Sequence, residues 1–172
     1  MTASSDILSD GFDRIRGTVH RALKDLDPEL LTARPDPEAN TIAWLVWHLT
    51  RVQDDHVAEV AGTEQVWAAG GWAGRFDLPF APDATGYAQD AADVARVAGP
   101  GVTVENLLGY HDAVHAATAA YLAGLSDADL DRVVDENWTP PVTLAVRLVS
   151  VLSDDLQHAG QAAYARGVLE RR

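Results

Sequence analysis

Three side chains in this sequence have the types and spacing to hold a divalent ion. His48 sits in the run Thr41-Ile42-Ala43-Trp44-Leu45-Val46-Trp47-His48-Leu49, and Asp154 and His158 stand four residues apart about a hundred positions later. A carboxylate and an imidazole one helical turn apart stack on one face, and a lone imidazole on a neighbouring helix can supply a third donor. Spacing alone leaves rivals. Asp155 is three residues before His158 and could replace Asp154, and His111-x-x-x-His115 is as good a pair by spacing. His48 could equally be a hydrogen-bonded core histidine. His56 falls over Leu45, Leu49 and Val60, away from His48 around the helix, and reads as structural.

The elements that must position these groups are helices. Ile7, Leu8, Phe12, Ile15, Val19, Leu23 and Leu26 recur at three- and four-residue steps and predict a first helix over about 6–26, broken by Asp27-Pro28. Asn40-Thr41 caps a second helix that stops before Gly62. From Gly70 to Gly101 the chain turns to Gly, Pro, Asp and Ala, which predicts one long crossover with a short helix near 88–97. Thr103 opens a third helix, Ser126 to Leu130 gives a helical turn, and Thr139-Pro140-Pro141-Val142-Thr143 starts a fourth long helix to about Leu169. Nothing reads as a sheet. The expectation is an all-α four-helix bundle with a long crossover between its second and third helices, a single domain over residues 1–172.

On the fourth helix the expected apolar stripe is Ala145, Leu148, Val149, Leu152, Leu156 and Ala159. Asp154 and His158 lie more than a quarter turn from its centre, which predicts a solvated face or the rim of a pocket, and Asp155 lies nearer the buried side.

Composition narrows the function. There is no cysteine, so disulfides, thiolate metal sites and a cysteine nucleophile are excluded, and any thiol chemistry must use a thiol from outside. A net charge of −13 repels phosphate backbones and anionic lipid, so nucleic acid is not an expected partner. No run approaches eighteen apolar residues and no basic-then-apolar leader is present, so neither a membrane span nor a secretory signal is expected and the cytoplasm is the predicted location.

The Trp44-x-x-Trp47-His48-Leu49 stretch, the segment Asp154-Asp155-Leu156-Gln157-His158-Ala159-Gly160-Gln161-Ala162-Ala163-Tyr164-Ala165-Arg166-Gly167, and the crossover pieces Trp72-Ala-Gly-Arg-Phe-Asp-Leu-Pro79 and Gly86-Tyr87 resemble the DinB-like superfamily of metal-binding four-helix bundles. More narrowly, they are similar to its actinobacterial mycothiol-transferase branch, related to mycothiol-dependent maleylpyruvate isomerase. The resemblance implies His48, Asp154 and His158 as metal ligands. Relatives often carry Glu or His in place of Asp154, which is one methylene shorter than Glu. The resemblance gives His111 and His115 no metal role.

Three protein ligands leave coordination positions open, as in catalytic sites. A bound zinc lowers the pKa of a coordinated thiol and holds it as thiolate near neutral pH. The implied activity is a mycothiol transferase or isomerase acting on small electrophiles, with zinc favoured and nickel or iron as alternatives. Arg147, Gln161 and Arg166 could anchor a carboxylate or sugar hydroxyls of the cosubstrate, and Trp44, Trp72 and Trp138 could wall the pocket. The rival expectation is a non-catalytic bundle that binds a metal, a small ligand or a second copy of itself; either reading allows a monomer or a homodimer. Donor atoms within roughly 4 Å of one another would favour the metal centre.

Overall fold

A threonine starts each of the four long helices of the protein. The computed structural model describes residues 2–172. The long helices are α1 (Ala3–Leu23), α3 (Ile42–Ala61), α7 (Val104–Ala123) and α8 (Leu144–Leu169). The hydroxyls of Thr2, Thr41, Thr103 and Thr143 accept from the amides of Ser5, Trp44, Asn106 and Val146 respectively, satisfying donors that an uncapped helix would leave bare. Such a cap contributes about 1 kcal/mol. Gly62 ends α3 in the left-handed region at φ 67°, a conformation that glycine adopts without a Cβ penalty.

Side-chain pairs fix the directions. Thr50 meets His111 and Gln53 meets Thr118, so α3 and α7 run parallel. Arg166 reaches the carbonyls of Arg21 and Ala22, while Gly11 faces Leu152, so α1 and α8 are parallel as well. His56 against Arg147 and His115 against Asp13 set the remaining neighbours antiparallel. Each of α1 and α3 packs on both α7 and α8, placing α1 and α3 on one diagonal of the bundle. The parallel α3 and α7 require a chain that returns the length of the bundle, and residues 62–103 do this.

That crossover holds more structure than its composition predicts. Besides α6 (Ala91–Arg96) it contains the one-turn helices α4 (Val66–Ala69) and α5 (Trp72–Phe76). Their aromatic residues Trp67, Trp72 and Phe76 are buried around the Tyr110 ring at centroid distances of 5.1, 5.7 and 6.1 Å. Trp72 is therefore a core residue and not a pocket wall. Another short helix, α2 (Pro28–Leu31), follows the expected break at Asp27.

The fourth long helix begins later than expected, at Leu144. Residues 133–135 (β1) and 142–143 (β2) form a two-stranded antiparallel ladder, where the sequence predicts no sheet. A residue preceding proline is held extended, so Thr139-Pro140-Pro141 resists helix formation until Thr143 can cap. The apolar stripe of α8 also differs. The buried positions are Leu144, Leu148, Val151, Asp155, Ala159, Ala162, Ala165 and Leu169, whereas Val149 and Leu156 are exposed. Wedged between α1 and α3, the helix buries the face centred near Asp155.

Among the described residues, no helix is long and apolar enough to cross a membrane.

Candidate metal centre

His48 on α3 and Asp154 and His158 on α8 face one another across the α3–α8 seam. One donor atom from each lies within 4.8 Å of the other two, and His158 Nε2 is 3.6 Å from Asp154 Oδ1. Ligands at about 2.0–2.2 Å from a tetrahedral ion are about 3.5 Å apart, so closing the group takes side-chain movement of about 1 Å. Among the described residues no other group of three His or carboxylate donors converges in this way.

Hydrogen bonds orient both rings. His48 Nδ1 donates to the Thr85 carbonyl at 2.6 Å, and His158 Nδ1 donates to Gln161 Oε1 at 2.7 Å. With each Nδ1 proton engaged, each Nε2 presents its lone pair, the tautomer that a metal ligand requires. His48 is buried, and burial is the main cause holding its pKa below the usual histidine value; the nearby His158 adds to this, while the Thr85 bond and Asp154 oppose it. Asp154 Oδ2 is buried without a hydrogen-bond partner. An unpartnered carboxylate oxygen beside two free imidazole lone pairs fits a cation and is costly without one.

Trp44 braces the pair. Its ring stacks on His48 at 4.5 Å and 15°, meets His158 edge-on at 6.0 Å, and donates Nε1–H to Gln89 Oε1 at 2.7 Å. Gly86, at φ 93°, also lies against His48, where a Cβ would come within 2.7 Å of His48 Nδ1. The segment carrying Thr85 and Gly86 is tied down by Arg51, a fully buried residue of α3. Arg51 donates to the Ala84 carbonyl at 3.0 Å and to Gln65 Oε1 at 2.8 Å, and stands 3.6 Å from Asp54. Asp54 in turn accepts from the amides of Val66 and Trp67 and from the Tyr110 hydroxyl. Thr85, Gln89, Arg51 and Asp54 are absent from the sequence-level site. The available signal was an Arg and an Asp three residues apart inside an apolar helix.

His48 and Asp154 line a cavity of about 790 Å³ that extends along α3 and α8 to the β1–β2 turn. Arg147 lines it too, donating to His56 Nδ1 at 2.7 Å and to Asp135 Oδ2 at 3.1 Å. Burial and the adjacent guanidinium hold His56 neutral, its pKa below the usual value. Trp138 lies on the rim, two-thirds exposed. Of the other anchors expected from sequence, Gln161 orients His158. Arg166 bonds three carbonyls at the end of α1 and Glu170, and does not line the cavity.

The rival donors are placed elsewhere. Asp155 is fully buried, outside the group, and both of its oxygens lack partners; burial and the neighbouring Asp154 push its carboxyl well above the usual range. His111 is buried against Thr50 Oγ1, while His115 pairs with Asp13 across the α1–α7 seam.

The family model for mycothiol-S-transferase matches residues 7–170. The chain belongs to the mycothiol-S-transferase family. Among solved structures it is similar to the conserved protein of locus from Enterococcus faecalis, at 27% identity over 100% of both chains with a TM-score of 0.91, which supports the same all-α DinB-like bundle. No curated protein matches.

Proposed function

We propose that the protein is a metal-dependent thiol transferase that joins mycothiol to a small electrophile, or isomerises one through such an adduct, with His48, Asp154 and His158 as the metal ligands. The observation that carries this reading is the pair of imidazoles whose Nδ1 protons are engaged by Thr85 and Gln161, leaving two Nε2 lone pairs near Asp154, whose other oxygen is unpartnered, with His48 and Asp154 lining a cavity. Family membership supports the thiol. A divalent ion bound there would lower the pKa of a coordinated thiol and hold it as thiolate near neutral pH. An imidazole, imidazole and carboxylate donor set suits zinc, and nickel or iron accept it as well.

The chain's own residues supply position. Trp44 stacks on the His48 ring and Gly86 lets the Thr85 carbonyl approach it, while Gln161 fixes His158. The cavity leaves room for the electrophile beside the sulfur. In the transfer the sulfur forms a bond to the electrophilic carbon, the thiol proton passes to water, and any leaving group departs with its bonding electron pair. With no cysteine in the chain, no protein thiol competes for the electrophile.

The test is consumption of an electrophile such as monobromobimane by purified protein with mycothiol, with and without chelator, alongside metal analysis. Metal-dependent turnover that disappears in the His48→Ala/His158→Ala double variant is expected. The 4.8 Å spread of the donors favours the second reading, a bundle that binds its ligand without catalysis; saturable thiol binding with no turnover at any metal loading would establish it.

A further inference from the structure

The solvent face of α8 carries no charge. From Val146 to Tyr164 its exposed positions are Val, Ser, Leu, Gln, Gly, Ala and Tyr, in a chain of net charge −13, whereas α1 exposes Asp6, Asp10, Asp13, Arg14 and Arg21. Val146, Val149, Leu156 and Tyr164 are 45–72% exposed. Single exposed apolar residues are ordinary, but a continuous row of them marks a surface that another molecule covers. Val146, Val149, Ser153, Leu156, Gly160 and Ala163 follow one another at alternating three- and four-residue steps, the spacing of a seam that packs along another helix. The neighbouring helix widens the face. Gly11 of α1 meets Leu152, and Ile7, one turn earlier on the same side of α1, is 73% exposed.

Nothing within the chain requires glycine at position 160. Gly160 lies inside α8, where glycine is less favourable than alanine; its φ is not left-handed, and a Cβ added there would meet nothing within 4 Å. A backbone that approaches this spot from outside explains the missing side chain. The row also complements its own reverse. Two copies of α8, antiparallel about a two-fold axis passing between Asp154 and Asp155, set Val146 opposite Ala163, Val149 opposite Gly160 and Leu156 opposite Ser153, so every pair joins a larger side chain to a smaller one. The uncharged surface lets two strongly acidic chains meet without apposing like charges. The face is also large enough. At 1.5 Å per residue the row is about 27 Å long, and with α1 beside it about 20 Å wide, a flat footprint of roughly 500 Å². Side-chain relief raises its accessible area towards the ~800 Å² per partner of a specific interface.

We propose that this face of α8, with the adjoining edge of α1, joins two copies of the chain in an antiparallel two-fold dimer. Asp154 and His158 face α3 and stay clear of the seam, so the dimer leaves the donor group open. Val146 belongs both to the row and to the cavity wall, which places the second copy at the border of the cavity.

Sedimentation equilibrium of the full-length protein is expected to give twice the chain mass of 18.4 kDa. Val149→Glu and Gly160→Lys, each at an exposed position, should each weaken the dimer by about ten-fold or more in dissociation constant, by burying an unpaired charge, with an unchanged circular dichroism spectrum. The Val149→Glu/Gly160→Lys double variant should regain the dimer at low salt, because the two-fold sets the new carboxylate of each copy opposite the new ammonium of the other. Within one chain the two positions are about 16 Å apart along the helix and cannot pair. The absence of cysteine gives a second readout: with a short bismaleimide, Ser153→Cys should cross-link the copies, and Ala116→Cys, exposed on α7, should not. A wild type that stays at 18.4 kDa at its highest soluble concentration overturns the proposal and leaves the face to a different partner. A dimer that survives both single variants, one that the double variant does not regain, or equal cross-linking through Ala116→Cys overturns it as well.

Discussion

Replacing Gly86 with alanine should damage the proposed metal centre without touching a proposed ligand. A Cβ there would lie 2.7 Å from His48 Nδ1, 3.3 Å from His48 Cγ and 3.1 Å from Trp47 Cζ3. The His48 ring is held by Trp44, which stacks on it at 4.5 Å. Gly86 also sits at φ 93°, in the region where a non-glycine residue costs about 1–3 kcal/mol. The 84–86 segment must therefore move, and the Thr85 carbonyl leaves His48 Nδ1. Loss of a bond that orients a ligand ring typically lowers metal affinity by about 10- to 100-fold. Chelator-competition titration of the Gly86→Ala protein should show that loss, and urea unfolding of the metal-free form should show destabilisation of about 1–3 kcal/mol. Thr85→Ala is the control, since only the Thr85 backbone carbonyl is used, and it should bind metal normally. An unchanged affinity in Gly86→Ala together with the expected destabilisation would refute the role given to the Thr85–His48 bond.

Further outcomes follow from the same packing. Asp154→Ala should abolish metal binding in a titration at fixed pH, whereas Asp155→Asn should keep it and raise unfolding stability near neutral pH, since the Asp155 carboxyl ionises in the unfolded chain but is held protonated by burial in the native one, a cost that an amide, neutral in both states, does not carry. Asp154→Glu should tighten binding by extending the carboxylate. His111, its pKa pressed down to about 3 chiefly by burial, should make the fold acid-sensitive. The unfolded chain takes up this proton near pH 6.5 and the native protein does not, so stability is full above about 6.5 and falls by about 1.4 kcal/mol per pH unit towards pH 3; urea melts of His111→Gln should lose that slope. Arg51→Met should cost about 3–5 kcal/mol by leaving buried Asp54 without its cation, and Arg51→Lys should not fully rescue, because a point charge cannot reach the Ala84 carbonyl, Gln65 and Asp54 together.

The four-helix bundle was legible because three- and four-residue periodicity, threonine caps and a long Gly- and Pro-rich link are local signals. The candidate donors on α3 and α8 were legible by residue type and spacing, and the low amphipathic placement of Asp154 matches its position at a cavity wall. What fixes those donors was not legible. The Thr85 carbonyl is a backbone atom with no residue signature, and its approach to His48 depends on the path of the crossover, which Arg51 sets from a distance of thirty-three residues. The β1–β2 ladder has no sequence signature, because three residues and two are too few to show a period of two. The buried face of α8 was misplaced because Val149 and Leu156 are apolar yet exposed, while Asp155, at its centre, is polar.

The central claim, that His48, Asp154 and His158 hold an ion which takes up the sulfur of an incoming thiol, is tested most directly by spectroscopy of the cobalt-loaded protein. Because the chain has no cysteine, any sulfur-to-cobalt charge-transfer band in the near ultraviolet must come from added thiol. Titration with mycothiol is expected to raise such a band in the wild type and in Asp155→Asn, and to leave the His48→Ala/His158→Ala double variant without one. A cobalt-loaded wild type that gains no band at saturating thiol, or a double variant that gains the same band, would contradict the account.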